Sequence, residues 1–399
     1  MVDSVREAYY YGQKKTIIIK GGAGTGKSVI AINALGLLNS PKRKEDRITT
    51  MYVTVNAAPK KVLYNGLTKD KKFSKSSLQS LFKYPTSFAN RPKNEVPCLL
   101  IDEAHRIFKM KGGVGLKKGT NMLRELINVA QVSVFFIDDN QAVTKDDYAT
   151  VELIKEIAEE CRSMVVMGSE LELTGQYRVQ GGAEYIQFIK SFLGLIDEDV
   201  KFNKDNSYEF EIFDDPNEMF NKIKELDTES RRRQAVNDGK FPFAIHDYNG
   251  NCRVVAGYCY EWVSDPSVRD GVNDVIIEKH NFAKKWNLRY GSGLSAYSWA
   301  DDPLSIDEIG CIHTCQGIDL DYCGVIIGKD MTYENGRIVF NKEAHAKTDY
   351  AGIRTASDQD AETWIKNTYY VLLTRGIRGT FVYCEDEKLR DFLKSKLVN

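Results

Sequence analysis

The sequence predicts an α/β protein of two successive domains, each a parallel sheet flanked by helices. Three observations predict it. Strand-like apolar runs alternate with helical stretches through roughly the first 170 residues, the pattern of strands joined by crossover helices. Key runs, such as TIIIK at 16–20 and VPCLLI at 96–101, have continuously apolar centres, as in strands buried on both faces. A second alternating series begins after Cys161. A chain of 399 residues, 42% hydrophobic and 28% charged, has the length and composition for two or three soluble globular domains.

The first strand introduces the chemistry. TIIIK runs directly into GGAGTGKS at 21–28 and then into the helical stretch VIAINALGLL. Glycines at these positions let backbone N–H groups curl around an anion, and a helix beginning near Lys27 points its positive end at the same place. The pattern G-x-x-x-x-G-K-[ST] between strand and helix is a phosphate cradle. In this reading Gly22, Gly24, Thr25 and Gly26 wrap the phosphates of ATP, Lys27 reaches its β- and γ-phosphates, and Ser28 holds Mg²⁺.

The next strand is expected over 48–55, followed by Asn56 and a helix over 60–67. VPCLLIDEAHRIF at 96–108 is a buried strand ending in two carboxylates, and strand ends are where open parallel sheets place ligands. Asp102 lies 75 residues after Lys27, a spacing that suits the acid organising Mg²⁺. Glu103 is positioned to align, or take a proton from, the water attacking the γ-phosphate. The alternative role for such a pair is a helix cap. A helix over 121–130 leads to the strand VSVFFIDDNQ, after which the Gln141 amide can sense the γ-phosphate through hydrogen bonds. Asp138 and Asp139 are candidate caps of that turn. TKDDYATVELIKEIAEEC reads as a capped amphipathic helix, and the domain junction is expected near Gly168, dividing 1–168 from 169–399.

In the second domain, a strand over 163–178 leads to Arg178, a helix follows over 182–195, and the strand YEFEIF precedes a helix over 217–233. NCRVVAGYCYEWV and VNDVIIE read as further strands, and Trp286 and Trp299 as core plugs rather than stacking platforms. DEIGCIHTCQGIDLDYCGVIIG reads as two buried strands flanking a polar loop at 313–320. NTYYVLLTRGIRGTFVYCED is a helix carrying Arg375, then a buried strand. Between them lies a polar insertion near 329–366, whose Asn335-Gly336 pair signals a two-residue hairpin.

A net charge of −1 argues against nonspecific coating of nucleic acid, but charge is unevenly placed. Residues 60–93 hold nine basic residues, including Lys60 and Lys61, against the single acid Asp70, a candidate phosphate-backbone surface. Residues 197–229 hold twelve acids and four lysines, a solvated face turned from nucleic acid. The eight cysteines form no C-x-x-C pair and read as reduced core residues. No apolar run suits a membrane span or signal peptide, so a cytoplasmic protein without membrane contact is expected.

Taken in order, these stretches resemble the motifs of superfamily 1 DNA/RNA helicases, and most nearly a bacterial helicase-like family related to the helicase domain of group III Schlafen proteins. GGAGTGKS resembles motif I, VTVNAAP motif Ia, LLIDEAHR motif II and FIDDNQ motif III. LTGQYR resembles motif IV, GCIHTCQGIDLDYCGVIIG motif V and YVLLTRG motif VI. The resemblance implies two tandem RecA-like P-loop domains with ATP in the cleft and single-stranded DNA or RNA across their top. It carries over Arg178 and Arg375 as arginine fingers, Tyr177 as an adenine-stacking residue, and Gly317 as part of the nucleotide-binding set. It also implies nucleic-acid contacts by Thr54, Asn56, His313, Thr314 and Gln316, with Lys60 and Lys61 beside them. Relatives can carry an additional N-terminal module, so such a module or a protein partner is an expected addition.

Two functions follow from different classes. One is a nucleic-acid-stimulated ATPase that translocates on or remodels a single strand; the other is an ATP-gated sensor or scaffold, as in host defence, that does not unwind. The ATPase rate with and without single-stranded DNA and RNA separates them.

Overall fold

The structure, a computed structural model, describes residues 1–41, 43–55, 80–108, 120–203, 207–239, 250–264, 271–286, 299, 302–315, 317–349 and 351–398. The expected helix over 60–67, with Asn56, Lys60, Lys61 and most of the basic stretch, lies outside the described residues, as does Gln316. The chain divides into two compact units, Met1–Gln176 and Tyr177–Asn399.

In the first unit the elements run α1 (Val2–Tyr10), β1 (Lys15–Gly21), α2 (Lys27–Asn39), β2 (Thr50–Val53), β3 (Phe82–Lys83), β4 (Val96–Ile101), α3 (Met122–Val129), β5 (Ala130–Ile137), α4 (Val151–Glu160), β6 (Met164–Val166) and β7 (Glu172–Leu173). The sheet order is β3-β2-β4-β5-β1-β6, with β7 also pairing with β1, and every pairing is parallel. Strict alternation splits each central strand between two cores. Ile18, Val53, Leu99, Ile101, Phe135 and Ile137 face the cluster containing α3 and α4. Ile17, Ile19, Tyr52, Cys98, Leu100, Val134 and Phe136 face the cluster containing α1 and α2. Continuously apolar strands are the consequence of covering both faces.

The second unit contains α5 (Gly182–Phe192), β8 (Phe202–Asn203), β9 (Glu209–Ile212), α6 (Pro216–Asn237), β10 (Cys252–Ala256), β11 (Val275–Ile277), β12 (Phe282–Lys284), β13 (Ile309–Gly310), α7 (Ile312–Cys315), β14 (Leu320–Ile327), β15 (Met331–Glu334), β16 (Arg337–Phe340), α8 (Asp358–Leu373), β17 (Gly376–Cys384), α9 (Glu387–Ser395) and β18 (Leu397–Val398). Its main sheet, β13-β10-β14-β17-β9, is also parallel throughout. Met219, Phe220 and Ile223 of α6 pack on β10, β14 and β17, while Asp215 caps the helix from Asn217 N–H. Both units are thus parallel sheets flanked by helices, the RecA-like class expected from the sequence.

Several expected boundaries move. The division falls after Gln176 rather than near Gly168, because the short strands β6 and β7 both add to β1. VNDVIIE supplies β11, which pairs antiparallel with β12 outside the main sheet. The segment after Gly310 forms the short helix α7 where a loop was expected, with Thr314 Oγ1 accepting from Cys311 N–H at 3.1 Å. The Asn-Gly hairpin forms as read: Glu334 pairs with Arg337, and Asn335 and Gly336 have φ of 51° and 81°, the left-handed pair of a type I′ turn. Trp286 is fully buried, stacks on Tyr258 and donates Nε1–H to Tyr260 O; Trp299 is also buried. Among the described residues, no helix is long and apolar enough to cross a membrane.

Candidate functional site

Because β4, β5 and β1 are neighbours and parallel, the segments leaving their C-terminal ends meet at one edge of the sheet. Gly24 and Gly26 hold φ of 77° and 85°, and Gly26 leads into α2 with the N–H groups of its first turn unclaimed by the helix itself. A Cβ on Gly21 would come within 2.5 Å of Thr25 Oγ1, so the tight approach of loop to strand requires glycine there. Thr25 Oγ1 donates to Gly22 O at 3.0 Å, and Gln176 Nε2 donates to Ala23 O at 2.7 Å. Lys27, 7% exposed, folds its ammonium onto Gly21 O (2.7 Å) and Gly22 O (2.8 Å), with Asp138 Oδ2 at 4.0 Å. These residues fit a polyphosphate: a curled backbone, a helix N-terminus and a buried cation converge.

Opposite the loop, Ser28 Oγ donates to Asp102 Oδ2 at 2.6 Å. Tyr52 donates its hydroxyl to the same oxygen, and Glu103 N–H donates to Asp102 Oδ1 at 3.0 Å. Burial raises the pKa of Asp102, as does neighbouring Glu103, while Ser28, Tyr52 and Lys27 pull it back down. A buried carboxylate with hydroxyls on one oxygen and a lysine nearby is a ready hard-cation ligand. Glu103 has φ of 51°, a left-handed conformation for a residue with a Cβ, and such strain concentrates at functional sites. Its Oε2 lies 3.2 Å from Nε2 of the fully buried His105, whose pKa burial pushes down to about 4, so this imidazole is neutral.

Gln141 is buried and donates from Nε2 to Asp138 Oδ2 at 2.7 Å. Asp138 also accepts from Asn140 N–H, so it both caps the turn and connects Gln141 with Lys27. Lys27, Ser28, Asp102, Glu103 and Gln141 are therefore brought together, and Asp138 and Tyr52 join them although neither was singled out as a ligand residue. The signal for Asp138 was present, since it follows the same strand as Gln141. Thr54 is buried at the end of β2.

In the second unit, two distant stretches converge on the turn at 317–320. Gly317 has φ of 82°. Arg178 Nε meets Asp319 Oδ1 at 2.5 Å. Arg375, 1% exposed, donates from Nε to Val371 O (2.9 Å) and from Nη1 to Ile318 O (3.3 Å). Tyr177 is 83% exposed. His313 turns inward: its Nε2 meets Asp349 Oδ1 at 2.8 Å, and Asp349 Oδ2 accepts from His345 Nε2 at 2.6 Å. His345 Nδ1 lies 3.3 Å from Asp330 Oδ2, and Tyr369 donates to Asp330 Oδ1 at 2.5 Å. Residues of the polar insertion thus hold the helix that carries His313 and Thr314. Sequence spacing carried no sign of this network.

Burial opposes charge on His345, but its hydrogen bonds to Asp330 and Asp349, and their charges, raise its pKa to about 9. Burial likewise opposes charge on Asp349, yet His313 and His345 hold it below the usual carboxylate range. A histidine raised from 6.5 to about 9 gives stability that is complete below pH 6.5 and is lost as pH rises through 9. Thermal melts from pH 6 to 10 should therefore fall more steeply in the parent than in His345→Asn; equal slopes would rule out a charged His345.

Residues 14–386 match the family described as Schlafen group 3, DNA/RNA helicase domain. An uncharacterized protein of Saccharomyces cerevisiae is 29% identical over 408 residues, covering 94% of this chain and 83% of that protein. Among solved structures, the chain is similar to the arterivirus nonstructural protein 10 helicase in complex with DNA, at 10% identity and a TM-score of 0.38. That match covers 98% of this chain, which spans 65% of the arterivirus chain. It is also similar to the Pif1 helicase from Bacteroides in complex with ADP-AlF3 and ssDNA, at 13% identity, 99% and 96% coverage and a TM-score of 0.34. With the match running from before the phosphate loop to beyond β17, the chain belongs to the Schlafen group 3 DNA/RNA helicase domain family.

Proposed function

We propose that the protein is a cytoplasmic ATPase stimulated by single-stranded DNA or RNA, hydrolysing ATP at the edge of the first sheet and using the cycle to translocate on or remodel the strand. The observation that carries the proposal is the convergence of a buried Lys27 on the phosphate loop with the Ser28–Asp102 pair at one sheet edge. Lys27 and the loop N–H groups would bind the phosphates. Ser28 and Asp102 would hold Mg²⁺, which when bound supplies charge neutralisation at the β- and γ-phosphate oxygens. Glu103 would accept a proton from the attacking water, and Gln141 would sense the γ-phosphate. Arg178 and Arg375 would act as fingers on the charge that develops on the γ-phosphoryl. Thr54, Asn56, Lys60, Lys61, Thr314 and Gln316 remain the proposed strand contacts. His313 is better suited to holding the motif V helix, given its ring's commitment to Asp349.

Both finger candidates are engaged inside the second unit, Arg178 by Asp319 and Arg375 by backbone carbonyls. That supports a second reading in which ATP is a gate read by a partner. ATP hydrolysis measured against a panel of single-stranded DNA and RNA oligonucleotides decides: stimulation supports the motor, slow unstimulated turnover the gate, and no turnover at all removes both.

Glu103→Gln tests the base. The amide keeps size and hydrogen bonding but cannot accept a proton, so ATP should bind and persist while turnover falls by about 10²–10⁴-fold. A variant that no longer binds ATP would make Glu103 a structural residue.

A further inference from the structure

The Mg²⁺-site carboxylate has a partner from outside the phosphate loop and its neighbouring strand end. Tyr52 sits on β2, directly opposite Leu100 in the register with β4, and gives its hydroxyl to Asp102 Oδ2. Its ring cannot wander. It is 1% exposed, tilts against Phe82 of β3 at 5.2 Å between centroids, and belongs to the core that buries Ala31, Ala34 and Leu35 of α2. The strand beneath it is tied to the same aspartate, because Asp102 N–H donates to Val53 O at 2.9 Å. Packing alone would be served by phenylalanine, and burying a hydroxyl is costly unless it has an acceptor.

We propose that Tyr52 is a positioning residue that sets how Asp102 presents itself to Mg²⁺, an inference that rests on the ATP and Mg²⁺ reading above. The argument is a count of acceptor sites. A carboxylate offers about four lone-pair directions. On Oδ2, Ser28 and Tyr52 take two; on Oδ1, the Glu103 N–H takes a third. One direction is left, on Oδ1, for a cation or a water bound to it. Without the Tyr52 hydroxyl a second direction opens on Oδ2, and the carboxylate loses the donor that is anchored in the core rather than in the loop. Donors that orient a ligating carboxylate affect metal affinity by about 10–100-fold.

The test is Tyr52→Phe, which keeps the ring, read by Mn²⁺ titration with electron paramagnetic resonance in the presence of a non-hydrolysable ATP analogue. The expected result is Mn²⁺ affinity weaker by about 10–100-fold. Binding of the analogue in EDTA should stay at the parent value, and so should the circular dichroism spectrum. Parent-like Mn²⁺ affinity in the folded variant overturns the role of Tyr52 and leaves the ATP reading standing. Equal weakening of analogue binding in EDTA also overturns it, since the hydroxyl would then serve the loop as a whole. Absence of nucleotide-dependent Mn²⁺ binding in the parent overturns the ATP reading and the role of Tyr52 with it.

Discussion

Lys27→Ala is expected to reduce ATP turnover to background while leaving the fold intact. The ammonium sits on the loop carbonyls of Gly21 and Gly22, with Asp138 Oδ2 at 4.0 Å. The helix it begins is held by Ala31, Ala34, Leu35 and Leu38, all in the core and untouched by the change. What the variant loses is the cation proposed for the β- and γ-phosphates, and with it one of the groups that counter the burial of Asp102. Steady-state hydrolysis beside far-ultraviolet circular dichroism checks this. Turnover retained with a native spectrum would falsify the phosphate-cradle assignment, because no other described lysine shares the loop's carbonyls.

Arg178→Ala is expected to slow single-turnover hydrolysis by about 10³-fold or more, with a much smaller loss of ATP affinity. The side chain is 18% exposed, and its ion-pair partner Asp319 is about half exposed, so solvent screens the pair from the Asp319 side. The fold should therefore survive, and a rate effect can be read without ambiguity. Lysine should rescue poorly, since a point charge cannot bridge two phosphate oxygens as a planar fork can. Arg375→Ala is a less clean probe. That guanidinium is fully buried and satisfies the carbonyls of Val371 and Ile318, so its loss also strips buried acceptors of their donor. Hydrolysis at the parent rate in Arg178→Ala, at saturating ATP and nucleic acid, would remove the finger assignment.

The parts legible in the sequence were those set by local rules. β1, β4 and β5 were readable because strands buried on both faces are apolar at most positions, and the phosphate loop because its glycines and Lys27 lie within eight consecutive residues. The β15–β16 turn was readable because Asn-Gly tolerates two left-handed residues in succession. The seven ordered motifs likewise sufficed to identify the family that residues 14–386 match.

Other features depended on which side chains the fold brings together. β7 is two residues long, too short for any pattern, and exists because β1 offers it an edge; the unit boundary moved with it. Tyr52 reads as one more aromatic core residue of a strand until the β2–β4 register sets its hydroxyl on Asp102. His313, His345, Asp330 and Asp349 are separated by up to 36 residues, and no spacing rule marks them as one network. Period and turn chemistry act between near neighbours in the chain, so the sequence by itself determined the sheets, the loop and the roster of chemical groups. Hydrogen bonds and charge act through space over a few ångströms, so only the tertiary structure decided which of those groups meet, which are withheld on internal partners, and which donors each oxygen of Asp102 accepts.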